Sequence, residues 1–505
     1  MAGLKNLAGD TIWYGLSSII ARLISWLLVP LHTGVFATGE YGIVTELYAL
    51  VAFLYVIFTY GMETAYFRFA KNSEKEKDAF NLSFSAIFTT SLIFSCVLIF
   101  FSQNIVAFFG YPNQAVVVYY LAAIISIDAI VSIPYARLRF EKKAKKFALI
   151  KFIQIILTVL LNLFFFVFCI EIINGNWFPS IKSWVESFYD QSFKVKYVFI
   201  ANLVANAAIL LLLFGQFKSY KYSLNWNKLK PILIYAFPLL FMGLAGVTNE
   251  MLSRTLLTSW LPEDFYPGQS SKAALGVFGA CYKLSMLMIL GVQAFRYAAE
   301  PFFFSKSDEK GSPQLFARIM SGFVAFNTIV FLSVSVNLEP ISYLFLTNPE
   351  YHAGLNIVPF LLLGYLFSGI YYNLSVWYKL TDRTKYGAII TTGGAILTVL
   401  LNYFLIPVLG YFGSSLVTLI TFFGMALVSY VLGQKYFPIP YKVFRIVEYI
   451  LVSSTIAFIA YNLDLGHWFS NFVIRNVAVL VYIIYLYLRE RDSLSGITIL
   501  GIKIP

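Results

Sequence analysis

The sequence predicts an all-α polytopic membrane protein, and three observations carry that prediction. The chain has 505 residues, of which 59% are hydrophobic and only 12% charged. A soluble domain carries about 25% charged residues, so this chain cannot dress a water-facing surface of its own size. The mean hydropathy is +0.75. The apolar residues come in long continuous runs, which suits helical spans and not the short alternating strands of a barrel. An 18% aromatic content, with Phe at 50 and Tyr at 35, excludes a disordered chain.

A span needs about 20 apolar residues. That criterion marks fourteen candidates: 11–37, 41–69, 79–101, 114–136, 146–170, 196–217, 230–260, 272–304, 313–336, 353–378, 386–407, 411–432, 443–461 and 471–488. The first is too long for a signal-peptide core and no cleavage site follows it, so it is read as retained. With the N-terminus in the cytoplasm, 26 of the 37 Lys and Arg fall in inside segments and 4 in outside segments. The excess of basic loops on one side sets the orientation, with both ends cytoplasmic. The net charge of +12 therefore reads as loops held against an anionic membrane face, not as a nucleic-acid footprint. Two longer outside segments, 171–196 and 337–354, mix aromatic and polar residues, and the first is expected to hold an interfacial helix.

The chain repeats itself. Ile156–Asn162 reads ILTVLLN, and Ile396–Asn402 reads the same. This register also pairs Lys145 with Lys385 and Arg139 with Lys379. A second register pairs Gly42 with Gly276, Tyr48 with Tyr282 and Leu50 with Leu284. A repeat of six spans gives two lobes of equal orientation around an axis along the membrane normal, an arrangement that places a cavity between lobes. The expected organisation is an N-lobe at 1–217, a cytoplasmic connector at 218–229, a C-lobe at 230–432, two extra helices at 443–489 and a cytoplasmic tail at 490–505.

Cys96, Cys169 and Cys281 lie far apart in apolar runs, and His32, His352 and His467 are isolated. No metal or cofactor site is expected from them. The informative residues are charges inside spans, which are costly in lipid and usually face a cavity. They are Arg22, Glu46, Glu63, Asp128, Glu250, Arg254, Lys283, Arg296 and Glu300. Most fall in spans one, two, seven and eight, which are repeat equivalents. Glu250 with Arg254, and Arg296 with Glu300, stand at i,i+4, so mutual pairing on one helix face is the competing reading. Lys151, Arg318 and Arg475 near span ends are read as snorkelling, and Glu448 is read as paired with Arg445. The basic set Arg22, Arg254, Lys283 and Arg296 suits an anionic group such as a diphosphate. Glu46, Glu63, Asp128, Glu250 and Glu300 are candidate cavity carboxylates for a coupling H⁺ or Na⁺.

The stretch Gly15–Ala70, with its early Arg22, Pro30 and Glu40-Tyr41-Gly42, resembles the N-terminus of Wzx-like polysaccharide-biosynthesis flippases. These belong to the multidrug/oligosaccharidyl-lipid/polysaccharide (MOP) exporter superfamily. The 6+6+2 span plan resembles that family over the whole chain. The resemblance implies a flippase of the bacterial inner membrane that moves undecaprenyl-diphosphate-linked oligosaccharide by alternating access. It implies polysaccharide polymerase and glycosyltransferases as partners. By span, not by an aligned motif, the four basic residues match the cationic cavity of the related lipid II flippase MurJ. The alternatives are a MurJ-like lipid II flippase, a cation-coupled multidrug exporter and a membrane polysaccharide polymerase. The basic set counts against the exporter. The outside segment 171–196, which has no His and no Arg, counts against the polymerase.

Overall fold

A bilayer offers the backbone no water, so each spanning segment must satisfy its own N–H and C=O groups as a helix. The computed structural model of the chain describes residues 19–20, 23–24, 26–70, 73–111, 114–218, 220–306, 311–494, 498–499 and 502–503. Among them, ten helices are long and apolar enough to cross a membrane. An eleventh span is a bent pair, Ser271–Leu284 with Met286–Tyr297, turning through 47°. The chain is a multi-pass helical membrane protein. Lipid takes the place of water on its helices, and Phe100, Leu211, Phe237 and Phe444 stand exposed on them.

Fourteen spans were expected, and three places account for the lower number. The span at 11–37 is only partly described, with 11–18, 21–22 and 25 outside the described residues, and it holds the helix Val29–Val35. The span at 196–217 holds an apolar helix of only 17 residues, Lys196–Leu212. The spans at 386–407 and 411–432 run together as Thr384–Tyr436, 53 residues. At 1.5 Å per residue that element would be roughly 80 Å long, against a hydrocarbon core of about 30 Å. It does not run straight. Gly410 breaks it at φ 56°, ψ −138°, a conformation that L side chains avoid, and Pro407 removes a hydrogen bond just before.

Two compact units emerge. The first is Met1–Ser259 with Tyr266–Gly276, and the second is Trp260–Phe265 with Val277–Pro505. The expected connector, 218–229, lies within the first unit. In that unit, Val131, Tyr135, Leu138, Phe147, Ile150, Ile209 and Leu213 form a core among the helices Ala115–Phe140, Ala144–Leu163 and Lys196–Leu212. A π-helical turn, Phe164–Phe168, continues the helix Ala144–Leu163. The segment after it holds the short helix Lys182–Phe188. There the Lys196 ammonium, 2.7 Å away, and the Ser192 hydroxyl and N–H hold the Asp190 carboxyl down at about 2. In the second unit, Ala299, Phe303, Phe316, Ala317, Val376 and Ile439 form a core.

Two sequence readings are corrected. Glu448 pairs with Arg489 at 3.0 Å and accepts from the Tyr485 hydroxyl at 2.6 Å, while Arg445 turns to Glu490 at 3.5 Å. The helices Val443–Asn462 and Trp468–Leu494 are antiparallel neighbours in sequence, so charges at their shared end meet across the pair and not along one helix. Lys151 does not snorkel out to an interface. Its ammonium lies 4.4 Å from the Tyr135 ring centroid and donates to Gln154 at 3.3 Å.

Candidate intramembrane polar sites

The charged residues fall into separate groups, each inside one unit. In the first unit, Glu46 lies mid-helix on Thr38–Thr59 and is only 2% exposed. Its carboxylate accepts from the Tyr111 hydroxyl and, at 2.6 Å, from Thr258 Oγ1. The Lys272 ammonium sits 3.7 Å from the Tyr111 ring centroid and donates to the Gly110 carbonyl at 2.8 Å. Two hydroxyl donors on one buried carboxylate satisfy an acceptor-only group without a direct cation.

A second group is a one-way chain of amides. Lys151 Nζ donates to Gln154 Oε1. Gln154 Nε2 donates to Asn206 Oδ1 at 2.7 Å, and Asn206 Nδ2 donates to Asp128 Oδ1 at 2.9 Å. Every link points from the ammonium towards the carboxylate. Such a chain polarises in one sense, which strengthens each bond in a low dielectric. Glu63 pairs with Arg139. Arg254, on the helix Trp226–Trp260, is 6% exposed and lies within electrostatic range of the Tyr41 hydroxyl. Glu250, its i,i+4 neighbour, is half-buried and makes no hydrogen bond or ion pair among the described residues. The competing reading, in which Glu250 pairs with Arg254 along one helix face, is therefore not met among them.

In the second unit, Lys283 stands two residues before Ser285, where the bent span breaks. The Ser285 N–H bonds to the Tyr282 carbonyl at 3.0 Å, a tightened turn in place of α-helical continuation. The Arg296 guanidinium lies 4.7 Å over the Tyr372 ring. Arg296 and Tyr372 line a small pocket with Asn373 and Lys379. Arg22 lies outside the described residues, and so does the side chain of Glu300.

The structure thus adds Gln154, Asn206, Tyr111, Thr258 and Asn373 to the residues marked from sequence, and gives Lys151 a place in the amide chain. Neutral amides and hydroxyls in apolar spans raise no charge signal. Only the run of residues contributed by several helices to one place makes them visible.

Comparison with known proteins gives two family matches. Residues 34–177 match a family described as polysaccharide biosynthesis protein, and residues 265–404 match MatE. Among solved structures, the chain is similar to the lipid II flippase MurJ in its inward closed conformation. The TM-score is 0.71 at 16% identity, over 95% of this chain and 99% of that one. The two family matches and this fold together support a MOP-superfamily, flippase-like protein. A Vibrio cholerae MATE transporter, VcmN, gives a TM-score of 0.58 at 14% identity, over 86% of this chain and 98% of that one. A MOP superfamily transporter from Pyrococcus furiosus gives 0.56 at 14% identity, over 88% and 96%. No curated protein matches the chain. At these identities the solved structures speak for the fold. The two family matches support a membrane transporter or flippase of that superfamily.

Proposed function

We propose that this MOP-superfamily protein is a flippase for lipid-linked oligosaccharide, with an undecaprenyl-diphosphate head as cargo. The observation that carries the reading is Arg254, a guanidinium 6% exposed on an apolar helix. An Arg at the centre of a span costs about 2.5–3.5 kcal/mol on insertion scales, and its planar fork matches phosphoryl oxygens. Arg22, Lys283 and Arg296 are proposed as further contacts along the path of the head. The polysaccharide-biosynthesis match over 34–177 supports a glycan cargo. A head of charge near −2 leaving an inside-negative cell gains roughly 2.3 kcal/mol per charge per 100 mV. Proton or Na⁺ entry through Asp128, Glu46, Glu63, Glu250 or Glu300 would add to that. The reading places the chain in a bacterial inner membrane with both ends cytoplasmic, beside glycosyltransferases and a polysaccharide polymerase, working by alternating access.

The test is reconstitution. Proteoliposomes loaded with a fluorescent lipid-linked oligosaccharide report flipping by head-group accessibility. Arg254→Ala is expected to lower the initial rate at least about tenfold, one charged contact's worth, and Arg254→Lys to restore part of it. Unchanged flipping in Arg254→Ala at equal protein level would sink the diphosphate reading. The MurJ likeness favours lipid II as a second cargo, read in the same assay.

A further inference from the structure

Three cations meet at one end of the element Thr384–Tyr436, and no described acid holds them. Its two halves, parted at Gly410, run side by side, so that Thr398 meets Thr421 and Tyr386 meets Tyr436. The Tyr386 and Tyr436 hydroxyls share a hydrogen bond at 2.8 Å, and their ring centroids lie 5.2 Å apart. Buried Trp377 stacks on Tyr436 at 5.8 Å and donates to Ser429 Oγ at 3.2 Å, which fixes the pair in place. The Arg383 guanidinium lies 4.1 Å over the Tyr436 ring. The Lys435 ammonium lies 5.7 Å from the Tyr436 ring centroid, and the Lys385 ammonium 5.7 Å from that of Tyr386. All three cations are exposed and within electrostatic range of the Tyr436 hydroxyl. None of them makes an ion pair among the described residues, and neither does Asp382 beside Arg383.

The sequence repeat supplies a comparison. The same turn occurs in the first unit, where the Lys143 N–H bonds to the Leu138 carbonyl at 2.8 Å, as the Arg383 N–H bonds to that of Tyr378 at 2.8 Å. There Lys143, the repeat-mate of Arg383, takes Glu141 at 2.8 Å, and the second copy has Thr381 in place of that acid. Lys142, Lys145 and Lys146 make the first turn the more basic of the two, yet no ring pair gathers them among the described residues.

These groups select a chemistry. Guanidinium and ammonium groups only donate, and two hydroxyls that share one hydrogen bond keep one O–H free to donate. The set fits an anion rich in acceptors, such as a phosphodiester. Position supplies the rest. Next to the cations the same helix presents Ile389, Ile396 and Leu400, each more than half exposed. Their spacing puts them on one face. Gly393 lies on that face too, and a Cβ there would meet no atom within 4 Å. An apolar strip for acyl chains thus leads to a cationic seat for a head group. A zwitterionic head brings a cation of its own to that seat and is disfavoured by it. We propose that Arg383, Lys385, Lys435 and the Tyr386–Tyr436 pair seat the head of an anionic phospholipid, with its acyl chains along the Ile389 face. The inference stands apart from the nature of the cargo and from the orientation of the chain.

The experiment is native mass spectrometry of the full chain in detergent, titrated with phosphatidylglycerol or phosphatidylcholine at fixed ionic strength. The bound fraction gives an apparent affinity for each lipid. Phosphatidylglycerol is expected to bind at least about tenfold more tightly. Arg383→Gln, Lys385→Gln and Lys435→Gln should each weaken it about fivefold, and the triple variant about a hundredfold. Lys145→Gln, at the repeat-mate of Lys385 on the more basic turn, should stay within about twofold of wild type. The substituted side chains are all exposed, so each variant is expected to match wild type on gel filtration. Equal affinity for the two lipids overturns the proposal. An equal loss in Lys145→Gln overturns it too, because binding then follows the diffuse charge of the basic loops. Competition identifies the occupant. Displacement of phosphatidylglycerol by inorganic phosphate marks a bare anion site, and displacement by a lower concentration of undecaprenyl diphosphate marks a contact for the cargo head. Either result overturns the choice of a phospholipid, and neither lipid titration depends on flipping.

Discussion

Gly42 and Gly276 lie backbone against backbone, and the contact is reciprocal. A Cβ on Gly42 would stand 1.9 Å from the Lys272 carbonyl oxygen, and one on Gly276 would stand 1.8 Å from the Thr38 carbonyl oxygen. Thr38 and Lys272 have the same sequence separation as Gly42 and Gly276. Each glycine therefore meets the repeat-mate of its own neighbour one turn back, which is the pattern of a two-fold contact. The register that pairs span two with span eight is thus a physical crossing within the first unit. Small residues let helix backbones approach this closely in a membrane.

That crossing gives the first prediction. Gly42→Leu or Gly276→Leu sets a side chain against a backbone oxygen, which cannot rotate away. The helices must part, at a cost of about 1–3 kcal/mol or more. The expected outcome is a clear drop in Tm of the purified protein in detergent. Gly39→Leu is the control, since a Cβ there meets no atom within 4 Å. A wild-type Tm for Gly276→Leu would refute the crossing.

Glu76 gives the second. Its carboxylate accepts from the Tyr66 hydroxyl at 2.7 Å and pairs with Arg137 at 3.2 Å, with side chains 8% and 12% exposed. Breaking a buried pair costs about 3–5 kcal/mol where the other charge is left alone; Arg137 keeps Glu141 at 3.3 Å and the Gln216 carbonyl at 3.0 Å, so the loss falls towards the low end and includes the stranded Tyr66 hydroxyl. Asp78, two residues on, pairs with Lys228 at 2.7 Å, but both side chains are about 60% exposed. An exposed pair is worth about 0–1 kcal/mol. Glu76→Ala should therefore lower the urea or thermal midpoint strongly, and Asp78→Ala hardly at all. Equal effects would mean that burial does not separate the two pairs.

The contrast also marks what could be read from the sequence. Glu76 and Asp78 look alike there, as two acids in one basic inside loop. Spans and repeat were legible because apolar runs and identical heptapeptides are local facts. Asn162 and Asn402, the last residues of the two ILTVLLN copies, even share a geometry. Each turns its amide onto the carbonyl of the threonine one turn earlier, at 2.7 and 2.8 Å. The partners of the charges were not legible. Glu250 and Arg254 have helical spacing yet do not pair among the described residues. Asp128 and Lys151 are joined through amides on two further positions, 154 and 206, which no spacing rule links. Pairing across helices depends on which faces the packing presents, and that is a tertiary property.

The Glu46 group gives the third prediction. Tyr111→Phe and Thr258→Val each remove one donor from a carboxylate 2% exposed. Each is expected to cost about 1–3 kcal/mol, the penalty for an under-satisfied buried group. The two donors share one acceptor, so their effects should not add. A double-mutant cycle on unfolding midpoints measures this. Strict additivity would show that the two hydroxyls do not act on the same carboxylate.

The amide chain from Lys151 to Asp128 separates structure from coupling. Asp128→Asn leaves the ammonium of Lys151 without its opposing charge, and Lys151→Met does the reverse. Each single change should destabilise by about 3–5 kcal/mol, while the double change, which removes both charges, should recover much of the loss. Stability alone cannot tell a structural pair from a coupling site, because both predict this recovery. Flipping under an imposed gradient can. If Asp128 carries the coupling ion, the folded double variant still flips down the head-group potential, but its rate no longer responds to a pH or Na⁺ gradient. If the chain is only structural, the double variant keeps the wild-type gradient response. Glu63 serves as the comparison, because Arg139 pairs with it directly and no amide stands between them. Glu63→Gln should therefore leave the gradient response in place, and its loss there would move the coupling role from Asp128 to Glu63.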